Sequence, residues 1–143
     1  MIAVDTNVLV YAHREELTKH ASARARLIEL AEGDALWGIP VFCLGEFLRV
    51  ITHPRLFDPP HTIREACDAL ERVLASPSVR ILLPGERFHS LLATRARDAD
   101  ARGNLVFDAQ IAALCDEVGV SALLTEDRDF ARFRGLRTEH LEP

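Results

Sequence analysis

Short apolar segments alternate with helical patterns along the whole chain, and this alternation limits the fold more than any other feature. The segments predict strands at 2–4, 35–39, 79–83 and 122–125, with a weaker one at 136–138. Strands that alternate with helices are typical of right-handed crossovers and parallel pairing. We therefore predict a three-layer α/β/α fold with a central, mostly parallel sheet of about four to five strands, covered on both faces.

The helices are predicted from apolar residues that recur every three or four positions. The first follows the turn at Asp5-Thr6-Asn7, and Pro40 opens the third, which His53-Pro54 stops. The other helical patterns cover 20–32, a stretch from Ile63 that stops before Pro77, 88–101 and 107–118. Gly33 and Gly119 are expected to end two of these helices.

Length and composition indicate one globular unit, predicted as a single domain over residues 1–143. No apolar stretch approaches the roughly 20 residues of a membrane-spanning helix, so no membrane partner is expected. Asp5 interrupts the first apolar run, unlike in a signal peptide. The three cysteines are widely spaced and predicted to be reduced and mostly buried, which favours a cytoplasmic location.

The charge balance places a condition on any nucleic-acid partner. The formal net charge is −5, so the overall field does not attract RNA or DNA, and contact requires a local basic patch. Arg49 lies one helical turn from Glu46, while Arg102 and Arg128 flank other acids, which makes these three arginines candidates for phosphate contact. The histidines lie apart and show no zinc-ligand spacing with cysteine.

Carboxylates follow the predicted strands at several points. Asp5 comes directly after the first strand, and Asp127 and Asp129 come after the fourth. Glu46 lies on the helix after the second strand, and Asp108 lies in the first turn of a later helix. Each acid alone has an ordinary explanation, as a helix cap, a partner of the helix dipole or a solvated side chain.

Taken together, these acids suggest a different chemistry. In an open α/β sheet, ligands bind outside the carboxyl ends of the strands, so the acids are expected to converge on one crevice. Carboxylates that lie within a few ångströms of one another repel unless a cation neutralises them. Oxygen ligands suit Mg²⁺ or Mn²⁺. Such a site can activate water against a phosphodiester bond, which predicts hydrolysis of nucleic acid.

Four segments together resemble the PIN domain, a family of metal-dependent nucleases, and within it the VapC toxins of VapBC toxin–antitoxin pairs. They are the opening strand with Asp-Thr-Asn at 2–7, Glu46 within 45–49, the Gly-Asn-x-x-x-Asp-Ala stretch at 103–109, and Thr-x-Asp-x-Asp-Phe at 125–130. The segment 50–55 looks like one bacterial toxin subgroup. The likeness spans nearly the whole chain.

The resemblance implies an endoribonuclease with roles for particular residues. The implied metal ligands and catalytic acids are Asp5, Glu46, Asp108 and Asp127. Asp129 is an outer acid or a cap, ranked below Asp127, and Thr6, Asn7 and Thr125 would orient carboxylates or water. The implied cofactor is Mg²⁺, with Mn²⁺ able to substitute. The implied partners are an RNA substrate, a VapB-type antitoxin whose tail blocks the acidic groove, and a second copy of the chain.

Two other functions remain open from the sequence. One is a PIN-like scaffold that binds RNA or protein without cutting it. The other is a phosphatase similar to the haloacid dehalogenases, with Asp5 as nucleophile. That family carries Asp-x-Asp, whereas this chain has Asn7 at the second position, and Lys19 is a poor match to the family's later lysine. No G-x-S-x-G motif supports a serine hydrolase.

Overall fold

The computed structural model describes all 143 residues and contains one five-stranded sheet. The strand order is β3-β2-β1-β4-β5, and every neighbouring pair is parallel. The strands are β1 (Ile2–Val4), β2 (Trp37–Pro40), β3 (Val79–Leu82), β4 (Ala122–Leu124) and β5 (Thr138–Glu139). The predicted three-layer α/β/α class is confirmed.

Six α-helices and one 3₁₀-helix connect the strands. They are α1 (Thr6–His13), α2 (His20–Glu32), α3 (Val41–Ile51), α4 (Ile63–Leu74), α5 (Phe88–Asp98), α6 (Leu105–Val118) and the 3₁₀-helix Arg128–Arg132. Helix α1 packs on α2 and α3, α3 packs on α4, and α5 packs on α6. None of these helices has the length and apolar character needed to span a membrane.

The core forms where the central strands meet the helices. All four residues of β2 are buried, and Ala3 and Val4 of β1 have no exposed surface. Trp37 fills the interior near β3, where its indole N–H donates to Ser78 Oγ at 3.1 Å. This bond satisfies the one polar atom of a large buried side chain.

The order of the strands determines where a ligand can bind. From β1, the chain proceeds to β2 and β3 on one side, and then to β4 and β5 on the other. The crevice at such a reversal lies between the carboxyl ends of the two adjoining strands, here β1 and β4. Asp5 and Thr125 are the residues that directly follow these strands.

Several predicted boundaries shift by a few residues. Helix α5 ends at Asp98 rather than at Ala101, because Asp100 takes a positive φ of 45° and the Ala101 N–H turns back to the Ala96 carbonyl at 2.9 Å. Helix α6 begins at Leu105 rather than Phe107, since the turn at 103–104 continues directly into the helix.

The strand boundaries also shift, because the hydrogen bonds between neighbouring strands determine where each strand begins and ends. β5 lies at 138–139 rather than 136–138, because the Thr125 N–H bonds to the Glu139 carbonyl at 2.9 Å. β2 begins at Trp37, two residues after the predicted start. Gly119 ends α6 in the left-handed conformation with φ 78°, whereas Gly33 ends α2 in an extended one.

Candidate active site

Asp5 is fixed at the junction of β1 and α1 by donors on both carboxylate oxygens. As the N-cap of α1, it accepts the Thr6 N–H on Oδ1 at 2.8 Å. Its Oδ2 accepts the Thr125 hydroxyl at 2.7 Å and the Asn7 amide at 3.1 Å. Only 5% of Asp5 is exposed. The cap and the expected site residue are thus the same side chain.

Burial has a clear effect on the ionisation of Asp5. It raises the pKa of this carboxyl from 3.8 to about 6, although the hydrogen bonds from Thr125 and Thr6 oppose the shift. The negative charges of Glu46 and Asp127 are smaller contributors to the same rise. Repulsion among the acids, which the sequence predicts, is therefore present but is smaller than the effect of burial.

Asn7 and Thr125 connect Asp5 to the loop after β4. The Asn7 amide nitrogen also lies 3.3 Å from Thr125 Oγ1, and its carbonyl oxygen accepts the Glu126 N–H at 3.2 Å. Thr125 Oγ1 in turn accepts the Asp127 N–H at 3.0 Å. Both side chains therefore orient acids of the crevice. Thr6 contributes its backbone N–H, while its buried hydroxyl has no hydrogen-bond partner.

Three carboxylates come together beside Asp5. Oxygens of Asp108, Asp127 and Asp129 all lie within 4.8 Å of one another. We call these three residues the acidic cluster. Asp127 also caps the 3₁₀-helix by accepting the Asp129 N–H on Oδ1 at 2.9 Å. The structure thus gives Asp129 a place in the cluster, and gives Asp127 the capping role that the sequence left open.

The surroundings of Asp108 oppose its ionisation. Its pKa is raised from 3.8 to about 7. Partial burial is the largest cause, and the smaller ones are the negative charges of Asp127, Asp5, Asp129 and Glu46. A nearby divalent cation would offset these charges, and three clustered carboxylates supply the oxygen donors that Mg²⁺ and Mn²⁺ prefer. The residues present therefore fit such an ion.

Glu46 lies on α3, partly buried and outside the acidic cluster. Its charge contributes to the raised pKa of both Asp5 and Asp108, which puts it at the same crevice. The structure therefore draws all the predicted acids toward one end of the sheet, with only Asp108, Asp127 and Asp129 in close contact.

The three candidate arginines lie at the surface. Arg49 is exposed on α3, and Arg128 is exposed at the start of the 3₁₀-helix beside Asp127. Arg102 precedes α6 and donates to Asp100 Oδ2 at 3.0 Å, with 84% of its side chain exposed. All three side chains are accessible to a polyanion.

Two residues near the crevice were not expected to act there. Cys43, predicted only as a buried thiol, directs Sγ toward Asp5 Oδ1 at 3.8 Å, and burial raises the thiol pKa well above its ordinary value. Its position three residues before Glu46, on the same side of a helix, is the signal that the sequence offered. Glu126 pairs with Lys19, a contact that sequence spacing does not reveal.

The structure also bears on the phosphatase alternative. Asn7 occupies the position where that family has its second aspartate, and its amide group is engaged by Asp5, Thr125 and the Glu126 N–H. An acid able to protonate a leaving group is therefore missing at this position. Asp5 itself is surrounded by donors rather than open to attack a substrate.

Comparison with known proteins agrees with this geometry. The PIN domain family model matches residues 2–136. Ribonuclease VapC43 of Mycobacterium tuberculosis is 44% identical over 140 residues, covering 98% of this chain and 95% of that protein. Ribonuclease VapC31 of the same organism is 37% identical over 144 residues, covering 100% and 99%.

A solved structure supports the fold. The crystal structure of VapBC2 from Rickettsia felis, bound to a DNA fragment from their promoter, contains a chain that superposes with a TM-score of 0.74. The two chains share 19% sequence identity, and the match covers 99% of this chain and 100% of that one. On the family match and the identity to its relatives, the chain belongs to the PIN domain family, among the VapC ribonucleases.

Proposed function

We propose that this chain is the toxin of a type II toxin–antitoxin pair, an endoribonuclease that hydrolyses RNA phosphodiester bonds. It acts in the cytoplasm as a single domain over residues 1–143, with Mg²⁺ as cofactor and Mn²⁺ able to substitute. The observation that carries the proposal is the acidic cluster at the β1–β4 crevice, in a chain similar to VapC ribonucleases over nearly its whole length.

The cluster supplies the ligands for the ion. Asp108 and Asp127 would hold it, with Asp5 and Glu46 completing the set and Asp129 beside them. When bound, a divalent cation there activates water and stabilises the charge that develops on the phosphodiester. Oxygen donors and a raised carboxyl pKa, two features of this cluster, support that assignment.

The chain's own residues prepare the site for this chemistry. Thr6, Asn7 and Thr125 hold the Asp5 carboxylate in one orientation, so little reorganisation is needed when a ligand arrives. Because its pKa is raised to about 7, the metal-free Asp108 carboxyl holds a proton more readily near neutral pH than an ordinary aspartate does. Because cation binding must displace this proton, metal affinity falls as the pH falls.

RNA must reach the crevice against a net charge of −5. Arg49, Arg102 and Arg128 are exposed around the acids and provide local positive charge for phosphate contact. Their guanidinium groups hold phosphate oxygens by paired hydrogen bonds, which positions a strand without reading its bases.

The test is cleavage by the purified chain, free of any antitoxin. End-labelled pools of tRNA and mRNA are incubated with Mg²⁺, with Mn²⁺ or with EDTA. Discrete fragments in either metal, and none in EDTA, are the expected result. Intact RNA in every pool from a protein that still binds the metal would reject the nuclease in favour of a binding scaffold.

We further propose that the chain pairs with itself and with a VapB-type antitoxin. The Rickettsia felis neighbour is a VapBC pair, and an acidic crevice is a fitting site for a basic segment of a partner. Light scattering on the chain, with and without the product of the adjacent gene, tests both points. A strict monomer that ignores that product contradicts them.

A further inference from the structure

We infer that the ion pair between Lys19 and Glu126 positions Asp127 for metal binding, an inference that rests on the proposed function. Lys19 is the N-cap residue of α2, and Glu126 lies in the loop after β4, directly before Asp127. The pair therefore connects the start of α2 to the loop that carries Asp127 and Asp129 of the acidic cluster.

Glu126 is held by two donors on its two oxygens. Lys19 Nζ donates to Oε2, and the Leu141 N–H donates to Oε1 at 2.5 Å. Only 10% of the Glu126 side chain is exposed, against 42% for Lys19. A carboxylate this buried needs its partners, because an unpaired buried charge is costly.

The same loop is attached at its backbone from two other directions. Glu126 N–H donates to Asn7 Oδ1 at 3.2 Å, which ties the loop to α1. The Thr125 N–H bonds to the Glu139 carbonyl at 2.9 Å, and the His140 ring donates from Nδ1 to the Thr125 carbonyl at 2.6 Å. Among these attachments, the bond from Lys19 is the one that brings a positive charge.

The ion pair gives Glu126 a different role from the two aspartates that follow it in the loop. Glu126 takes no part in the acidic cluster, whereas Asp127 and Asp129 both do. Drawing the Glu126 carboxylate toward Lys19 removes one negative charge from the crevice. It also fixes the backbone at 126, so that the next side chain is directed to Asp108. Lys19 is the only lysine of the chain, and none of its arginines takes over this contact.

Lys19 also lines a pocket that it shares with Asp127, Arg128 and His140. The Lys19 ammonium group has an alternative role in this pocket, in which it contacts an RNA phosphate directly. The two roles differ in one measurable respect, because a positioning residue affects metal binding when no RNA is present. A phosphate contact affects only KM for RNA.

The experiment compares three variants of the full chain. Lys19→Met removes the charge, Lys19→Arg retains it, and Arg24→Met is the matched control, an exposed cation of α2 without an ion pair. Three quantities are measured: amide hydrogen exchange over 125–129, the Mn²⁺ dissociation constant without RNA from the paramagnetic resonance signal, and kcat and KM for RNA.

We expect Lys19→Met to exchange faster over 125–129 and to bind Mn²⁺ about 10-fold more weakly, the effect typical of a lost outer contact at a metal site. Lys19→Arg should restore both quantities, and Arg24→Met should match the wild type. Unchanged exchange and Mn²⁺ affinity in Lys19→Met, even with a raised KM, would overturn the inference. Equal losses in Arg24→Met would do the same.

A second variant covers the case in which Lys19→Met does not fold. Glu126→Gln preserves the size of the side chain and can still accept one of the two hydrogen bonds, from the Leu141 N–H, but it removes the charge attraction to Lys19. We expect weaker Mn²⁺ binding with the fold intact. Wild-type affinity in that variant overturns the inference. Because exchange and Mn²⁺ binding need no RNA, these results stand apart from the proposed function, which fails when the wild type leaves RNA uncut.

Discussion

Asp5 combines two roles in one carboxylate, since it caps α1 and lies at the candidate metal site. Removing it as Asp5→Ala should lower the free energy of unfolding by about 2 kcal/mol, because a cap is lost and buried donors lose their acceptor. Asp5→Asn should stay within about 1 kcal/mol of the wild type, since relief of buried charge offsets one lost hydrogen bond.

Urea unfolding of both variants in EDTA, at one pH near neutrality, measures these differences. Metal-free conditions matter here, because bound metal would add its own stabilisation to the wild type. Because Asn caps a helix about as well as Asp, an Asp5→Asn protein as unstable as Asp5→Ala would show that the hydrogen bonds from Thr125 and Asn7 dominate and that charge repulsion contributes little.

Asp108 gives the metal-free protein a pH dependence of defined sign. Its pKa rises from 3.8 to about 7 on folding, so the folded state binds the proton more tightly than the unfolded state. The resulting stability is fully present below about pH 4 and is lost as the pH rises through about 7. Asp5, with its pKa raised to about 6, acts in the same direction.

Asp108→Asn removes this titrating group, so its stability can be compared with that of the wild type at each pH. In EDTA, the wild type should lose stability relative to the variant as the pH rises from about 4 to about 7, because Asn has no proton to lose. Chemical unfolding at several pH values measures this difference. A difference that does not change with pH would mean that Asp108 titrates alike in the folded and unfolded chain.

The sequence identified the acids of the crevice but not their mutual arrangement. Asp5, Asp108 and Asp127 stand out because each follows a strand or opens a helix, positions that topology alone brings to one end of a parallel sheet. That Asp129 joins the cluster depends on the 3₁₀-helix geometry. The Lys19–Glu126 pair joins residues 107 positions apart, and no local pattern encodes such a contact.

At the scale of elements, the Leu82 side chain of β3 packs directly against Gly38 of β2, in space that a larger residue at 38 would occupy. Gly38 pairs with Arg80 across the two strands, and a Cβ added at Gly38 would lie 2.6 Å from the Leu82 side chain. Gly38→Ala should therefore destabilise the fold by about 1–3 kcal/mol through overpacking. Thermal or urea unfolding gives the value.

The control for this effect is a second substitution on β3. Leu82→Ala alone creates a cavity, but in the Gly38→Ala background it also removes the clash. The double variant should therefore lose less unfolding free energy than the two single variants lose together. Simple additivity of the two substitutions would place the strain elsewhere than between these side chains.

Elements with strong local signals were predicted well, and those with weak ones were not. β1 and α2 have the predicted bounds, because an apolar run before Asp5 and a helical pattern closed at Gly33 define them locally. β5 lies at 138–139 rather than at the predicted 136–138, because a two-residue edge strand is defined by its bonds to β4 rather than by its own residues. The early end of α5 depends on the backbone at Asp100, which no pattern indicated.

For the whole molecule, the proposed cation at the acidic cluster predicts that stability depends on divalent metal. An ion that binds only the folded state stabilises it, by about 2.7 kcal/mol at 100 times its dissociation constant. Mg²⁺ or Mn²⁺ should therefore raise the Tm of the wild type, with a clearly smaller rise in Asp108→Asn. Calorimetry with increasing metal measures both. Equal shifts in the two proteins would place the metal away from the acidic cluster.

The proposed function depends on the acidic cluster, which would make this chain a metal-dependent ribonuclease. The most direct test is the RNA cleavage rate as a function of Mn²⁺ concentration, for the wild type, Asp108→Asn and Asp34→Asn. Asp34 is an exposed acid outside the cluster and serves as the matched control. Losing an outer contact at a metal site already costs about 10–100-fold, so losing a ligand should cost at least about 100-fold.

We expect Asp34→Asn to cleave like the wild type and Asp108→Asn to be at least about 100-fold slower at every Mn²⁺ concentration. Cleavage by Asp108→Asn at the wild-type rate, with the same dependence on Mn²⁺, would contradict the proposed role of the acidic cluster and place the reaction outside it.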